Sequence, residues 1–198
     1  MSDSKDLAID LGEIVIDSFL EDGLIKEIPF LKTLHVIAST ARSIPERIFA
    51  AKIQRFIKAL PSCETEYKKK FINELYNDQT KKQKLTEIVL LSLDRSDRLE
   101  KAELISSIFL AFLEERILLE EFDSLTTAIV HSDLNLLHKF LDLLELHPEN
   151  NPPTIVIGFE QLIGAGIVRP NGTPSTDQSG TFTRASDLGL TLFKILRK

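Results

Sequence analysis

The chain has 198 residues and very little cysteine: Cys63 stands alone and cannot form an internal disulfide. Because secreted folds more often carry paired cysteines, we expect a cytoplasmic protein. The N-terminus lacks the basic start and apolar run of a signal peptide. The longest charge-free runs, such as Leu104–Leu113, hold 10 residues, whereas a membrane-spanning helix needs about 20 apolar ones. These absences predict a protein that is neither exported nor membrane-spanning.

Acidic and basic residues are unevenly distributed along the chain. The net charge is −6, with 27% charged and 43% hydrophobic residues, an ordinary globular balance. Residues 1–41 have eight acids against three bases, whereas 42–70 have eight bases against three acids. Residues 102–149 have ten acids and two bases. Such blocks are most often solvated helix faces, and they also suit docking on a charged partner.

Apolar residues recur at helical spacing along most of the chain. The clearest helix starts at Ser43 and Glu46, which stand three apart as in a capping box, with Pro45 in the first turn. Pro61 ends it. Its apolar positions are Phe49, Ile53, Phe56, Ile57 and Leu60.

Similar spacing predicts several further helices. Thr80 and Gln83 indicate a second capping box, and Ser132 indicates another N-cap. The stretch Leu99–Leu118 has an apolar stripe too wide for a surface helix, so we expect it to be the most buried element. The other predicted helices cover Leu7–Leu20, Leu31–Ala41, Tyr67–Leu75, the region after Thr80, Phe122–Ile129 and Leu134–Leu144.

A linker-like segment, His147–Pro153, contains three prolines, two asparagines and no apolar anchor. We therefore predict a helical bundle over 1–147 and a small module over 153–198. In this module a short apolar helix around Phe159 precedes a hairpin, and Ser186 caps a final helix. The fold class is thus mainly α, a bundle of about seven helices with a C-terminal α+β module.

Two resemblances follow from these residues. The stretch LIGAGIV … TFTRASDLGLTLFKIL resembles the second half of winged-helix regulators, although the helix before its first strand carries Glu160 and Gln161 and no Arg or Lys. Residues 90–122 resemble an uncharacterised bacterial family of small helical proteins, through Asp94-Arg95 and Lys101-Ala102 among others. A looser similarity to abortive-infection proteins implies a role in phage defence. None of these resemblances implies an enzymatic activity.

Candidate chemistry is sparse. His131 and His138 stand seven apart, roughly 10 Å along a helix, too far to share a metal ion. The densest charge cluster runs from Asp94 to Glu103, but its opposite charges alternate, and Asp97 with Lys101 has the i, i+4 spacing that stabilises a helix. No nucleotide loop or nucleophile elbow is present in the sequence. We predict no catalytic residues, metal or cofactor.

The sequence is therefore interpreted as a non-enzymatic interaction or regulatory protein that binds a protein partner or a second copy of itself. The predicted contact residues are Asp94, Arg95, Lys101, Arg47 and Arg55. One alternative is a nucleic-acid-binding regulator that uses the basic segment and the wing-like module. Another is a membrane-active effector that inserts its apolar N-terminal helices at a membrane surface.

Overall fold

A computed structural model describes residues 29–60, 70, 73–74, 77–146, 158–171 and 183–197. These residues form seven α-helices and a two-stranded antiparallel sheet, which confirms a mainly helical fold with a small α+β module near the C-terminus. The contacts divide the chain into two compact units, Met1–Arg116 and Ile117–Lys198. The predicted linker lies outside the described residues, so the boundary placed there stays a prediction.

The first unit contains four of the described helices. A proline starts the first helix, where its missing amide hydrogen costs nothing. The predicted helix Leu7–Leu20 lies outside the described residues, and Tyr67–Leu75 does so in large part. The four helices are α1 (Pro29–Ser39), α2 (Ile44–Lys58), α3 (Gln79–Arg95) and α4 (Glu100–Leu113).

The start of α2 confirms the predicted capping box. The Ser43 side chain accepts a hydrogen bond from the Glu46 amide, and the Glu46 carboxylate accepts from the Ser43 and Arg42 amides at 2.9 and 2.7 Å. Pro45 lies in the first turn, as expected. Two backbone donors that the helix start leaves open, and the Arg42 amide before them, are thereby satisfied.

Two other predicted helix starts were wrong by one or two residues. Asp78, not Thr80 with Gln83, caps α3, because its carboxylate accepts the amide hydrogen three residues on and the helix already begins at Gln79. Asp133, not Ser132, caps the later helix in the same way. An aspartate offers a charged acceptor to the positive helix end, which favours it over a neighbouring hydroxyl.

The core of the first unit is built around α4, as predicted. This helix has nine buried residues among 14, more than any other described helix. Phe109 is fully buried; its ring centroid lies 5.6 Å from that of Phe56 on α2 and 6.5 Å from that of Phe112. Tilted aromatic pairs at such distances stabilise a core beyond the area they bury.

The second unit combines three α-helices with the sheet. Its core contains Phe122, Leu137 and Phe140, and Phe140 packs edge-on against Phe159 with 5.8 Å between centroids. The short apolar helix predicted around Phe159 is only a single 3-10 turn. The elements are α5 (Leu119–His131), α6 (Leu134–Glu145), the turn Glu160–Leu162, β1 (Val168–Pro170), β2 (Thr183–Ala185) and α7 (Asp187–Leu196).

Ser186 joins the sheet to α7 and confirms the predicted cap. Its hydroxyl accepts from the Gly189 amide at 3.0 Å and lies 2.6 and 2.9 Å from the carbonyl oxygens of Gly166 and Ile167. The start of α7 is thereby held against the residues that lead into β1.

Candidate interaction surface

Lysines from two helices reach the turn between α3 and α4. Lys52 of α2 donates a 2.9 Å hydrogen bond to the carbonyl oxygen of Asp94. This carbonyl group belongs to the last turn of α3. Carbonyl groups at a helix C-terminus lack intrahelical partners and carry partial negative charge. Lys101 of α4 forms a 2.7 Å ion pair with Asp97 in the turn itself. The turn is thus held by two ammonium groups, one from α2 and one from α4.

Both lysines are buried, which the sequence did not indicate. Lys101 is 1% exposed and Lys52 is 8% exposed. The basic segment 42–70 was expected to be a solvated helix face. Its member Lys52 is instead one of the buried residues of α2, together with Ile53 and Phe56. A long aliphatic stem can occupy a core position when the charged end reaches an acceptor.

The local environment moves two pKa values. Burial lowers the pKa of Lys52, an effect that the charges of Asp94 and Asp97 partly oppose. The hydrogen bond from Lys101 lowers the pKa of Asp97, against the smaller effect of burial. The shift of Asp97 means that its ionised carboxylate stabilises the folded turn, whereas the shift of Lys52 reflects the cost of burying its ammonium group.

The predicted contact residues have different positions in the structure. Asp94 and Arg95 are exposed at the end of α3, whereas Lys101 is buried and cannot reach a partner. Arg47 is half-buried on α2. Arg55 forms a 2.5 Å ion pair with Glu103 of α4, so it ties two helices together. Asp94 and Arg95 are therefore accessible, and their role as contact residues stays a prediction, whereas Lys101 belongs to the interior.

We expect Asp97→Asn to weaken the first unit by about 0.5–1 kcal/mol at neutral pH, because Asp97 is itself exposed and exposed pairs contribute little. Its folded pKa is depressed below 3.8, so the stabilisation is complete above that pH and is lost as pH falls through the lower folded value. Urea unfolding of both proteins across the acidic range measures this. Asp94→Asn is the control, since Asp94 accepts the Lys52 hydrogen bond through its backbone carbonyl and its carboxylate acts on Lys52 only through its charge; an equal loss in both variants contradicts the assignment.

A second feature is the outer face of α2, which we define as Ile44, Ile48, Arg55 and Lys58. Spacings of four, seven and three place these residues on one side of a helix. Ile44 is 75% exposed and Ile48 is 47% exposed, although both are large apolar side chains. Helical periodicity does not indicate these two isoleucines, because the apolar stripe that it predicts lies on the opposite, buried side of α2.

Apart from its isoleucines, the outer face of α2 carries two cations, Lys58 and Arg55, of which Arg55 is paired with Glu103 of α4. Glu46 is the only acid in the helix, and its carboxylate accepts the amides of Ser43 and Arg42. These backbone hydrogen bonds lower the pKa of Glu46. The Glu46 carboxylate is thus engaged at the N-terminus of α2, and Lys58 is exposed at the C-terminus of the same helix.

Other kinds of site find little support in the part of the chain that the structure describes. No three His, Cys, Asp or Glu side chains there are grouped as metal ligands. His131 and His138 are both exposed, and the His131 Nδ1 lies 2.9 Å from the Thr127 carbonyl oxygen. None of the described helices combines the length and apolar character needed to span a bilayer.

No family model matches the chain, and neither does a curated protein or a solved structure. The resemblances to a bacterial helical family, to winged-helix regulators and to abortive-infection proteins therefore stay predictions.

Proposed function

We propose that this chain acts by binding rather than by catalysis, and that the outer face of α2 is a docking surface for a protein partner. The observation that carries the proposal is the exposure of Ile44 and Ile48 one turn apart. Neighbouring exposed apolar residues with a polar rim are typical of interaction sites. The ionisable groups of the α3–α4 turn support it, since Lys52, Lys101 and Asp97 are engaged in structural contacts.

Charge indicates what kind of partner fits. The outer face of α2 contributes isoleucines and the exposed cation Lys58, with Arg55 already paired with Glu103, so it complements an amphipathic helix with apolar and acidic residues on one side. A twofold contact with the same face of a second copy would oppose like charges, which disfavours it. The proposed occupant is therefore an acidic amphipathic helix of another protein.

The test uses a labelled synthetic helical peptide with leucines along one side and glutamates beside them. We expect the intact chain to bind it, and the double variant Ile44→Ser and Ile48→Ser to bind about 10-fold or more weakly. Burying an isoleucine side chain contributes about 1.5–3 kcal/mol, and each 1.4 kcal/mol corresponds to a factor of ten. Fluorescence anisotropy gives both affinities.

The control variant is Leu91→Ser, which removes another exposed apolar side chain, on α3. It should bind the peptide like the unmodified chain, and a peptide with glutamine in place of glutamate should bind more weakly. Equal binding by the isoleucine double variant, or binding to anionic vesicles in place of the peptide, would overturn the proposal.

A further inference from the structure

The two-stranded sheet of the second unit places two arginines opposite each other. In the antiparallel register of β1 and β2, Arg169 pairs with Arg184, flanked by the pairs Val168 with Ala185 and Pro170 with Thr183. Both arginines are exposed, while Thr183 and Ala185, the neighbours of Arg184 in β2, are buried. Directly opposite residues of a sheet project from the same side. The outer side of the sheet therefore carries two guanidinium groups.

This pairing does not help the sheet to form. Like charges directly opposite each other destabilise a strand pair. Within the described residues no carboxylate forms an ion pair with Arg169 or Arg184, in contrast to Arg197, which pairs with Asp142 and, at 3.6 Å, with Glu145. Acids of α6 therefore pair with Arg197 at the end of α7, whereas none of the described acids pairs with the two arginines of the sheet. The charge on the sheet is free to meet an external anion.

We propose that the outer side of the β1–β2 sheet binds the phosphate groups of a nucleic-acid backbone. A guanidinium group presents a planar fork of donors that matches phosphate oxygens in a bidentate geometry. The two groups lie on an open strand pair rather than in a cavity, which suits a chain of successive phosphates better than a single enclosed anion. This proposed binding surface consists of other residues than the proposed docking surface on α2.

The same unit indicates that the binding is independent of base sequence. Reading bases in the major groove requires an element that fits the groove and presents donors or acceptors to base edges. In the described residues before β1, 158–167, the helical element is a single 3-10 turn, Glu160–Leu162, and these residues include no Arg or Lys. Contacts to phosphates alone fix position and affinity without specifying sequence.

The experiment measures binding of a short labelled DNA duplex to the full chain over a series of salt concentrations. Because each neutralised phosphate contributes about 0.9 to the slope of log affinity against log salt, Arg169→Ala and Arg184→Ala should each reduce the slope by about 0.9. The control Lys139→Ala removes one exposed positive charge from α6, and we expect it to leave the slope unchanged.

Further probes separate the sources of phosphate. Duplexes of unrelated sequence should bind equally, and a labelled RNA duplex should show the same loss in both arginine variants. An unchanged slope in both variants, or an equal change in Lys139→Ala, overturns the proposal. So does binding to phosphatidylserine vesicles without binding to nucleic acid, or complete displacement of the duplex by inorganic phosphate at constant ionic strength.

Discussion

Replacing Phe109 by alanine is expected to lower the free energy of unfolding by about 3–5 kcal/mol, the range for a large aromatic removed from a core. The ring is fully buried and lies against Phe56 and Phe112, with centroids 5.6 and 6.5 Å away. Its removal costs the transfer free energy, the two ring contacts and the cavity left between α2 and α4. Such a loss approaches the lower end of the range of about 5–15 kcal/mol by which native domains are stable.

Urea unfolding followed by far-ultraviolet circular dichroism measures this effect, since the chain has no tryptophan to report on it. Leu104→Ala is the control, because Leu104 lies on the same helix but is only half-buried; its loss should be clearly smaller. A change of less than about 1 kcal/mol for Phe109→Ala, as at an ordinary surface position, would contradict the central place of α4.

The helical part of this fold was predictable because burial requires a continuous apolar stripe, and a stripe is visible in sequence. The spacing of Ile53, Phe56 and Ile57 defines the inner side of α2, and all three are buried. The width of the apolar stripe in Leu99–Leu118 predicted the central helix, which the structure has at Glu100–Leu113. Local rules therefore suffice when side-chain type and position agree.

The role of the lysines was not predictable in the same way. A lysine is assigned to a solvated face by its charge, yet its stem is apolar and its ammonium group needs only a nearby acceptor. For Lys52 that acceptor is the carbonyl oxygen of Asp94, 42 positions away in sequence. For Lys101 the i, i+4 relation to Asp97 was visible, but its burial depends on packing that no local pattern encodes.

The candidate surfaces were only partly visible for a related reason. Exposure of Ile44 and Ile48 is a property of what the rest of the chain leaves uncovered, and apolar character alone favours the core. The opposition of Arg169 and Arg184 depends on strand register, which a shift of one residue would change. The sequence contains both arginines 15 positions apart, and only the register makes them an opposed pair.

Gly189→Ala is expected to destabilise the second unit by about 1–3 kcal/mol, the usual cost of forcing extra atoms into a packed site. Gly189 lies in the first turn of α7, where alanine is ordinarily favoured over glycine by about 0.5–1 kcal/mol. Here a Cβ atom would lie 2.2 Å from the Ile167 carbonyl oxygen and 3.2 Å from its carbonyl carbon. Because both obstacles are backbone atoms, α7 must move away from the residues that lead into β1.

Gly164→Ala provides the matched control. A Cβ atom at Gly164 would meet nothing within 4 Å, and its backbone is not in the left-handed region. We expect this variant to be neutral or to gain about 0.4–1 kcal/mol, because alanine restricts the unfolded chain. Thermal unfolding of both variants tests the contrast in sign. Since Ser186 holds the same segment through Gly166 and Ile167, a stable Gly189→Ala variant would mean that α7 does not approach β1 as closely as its cap requires.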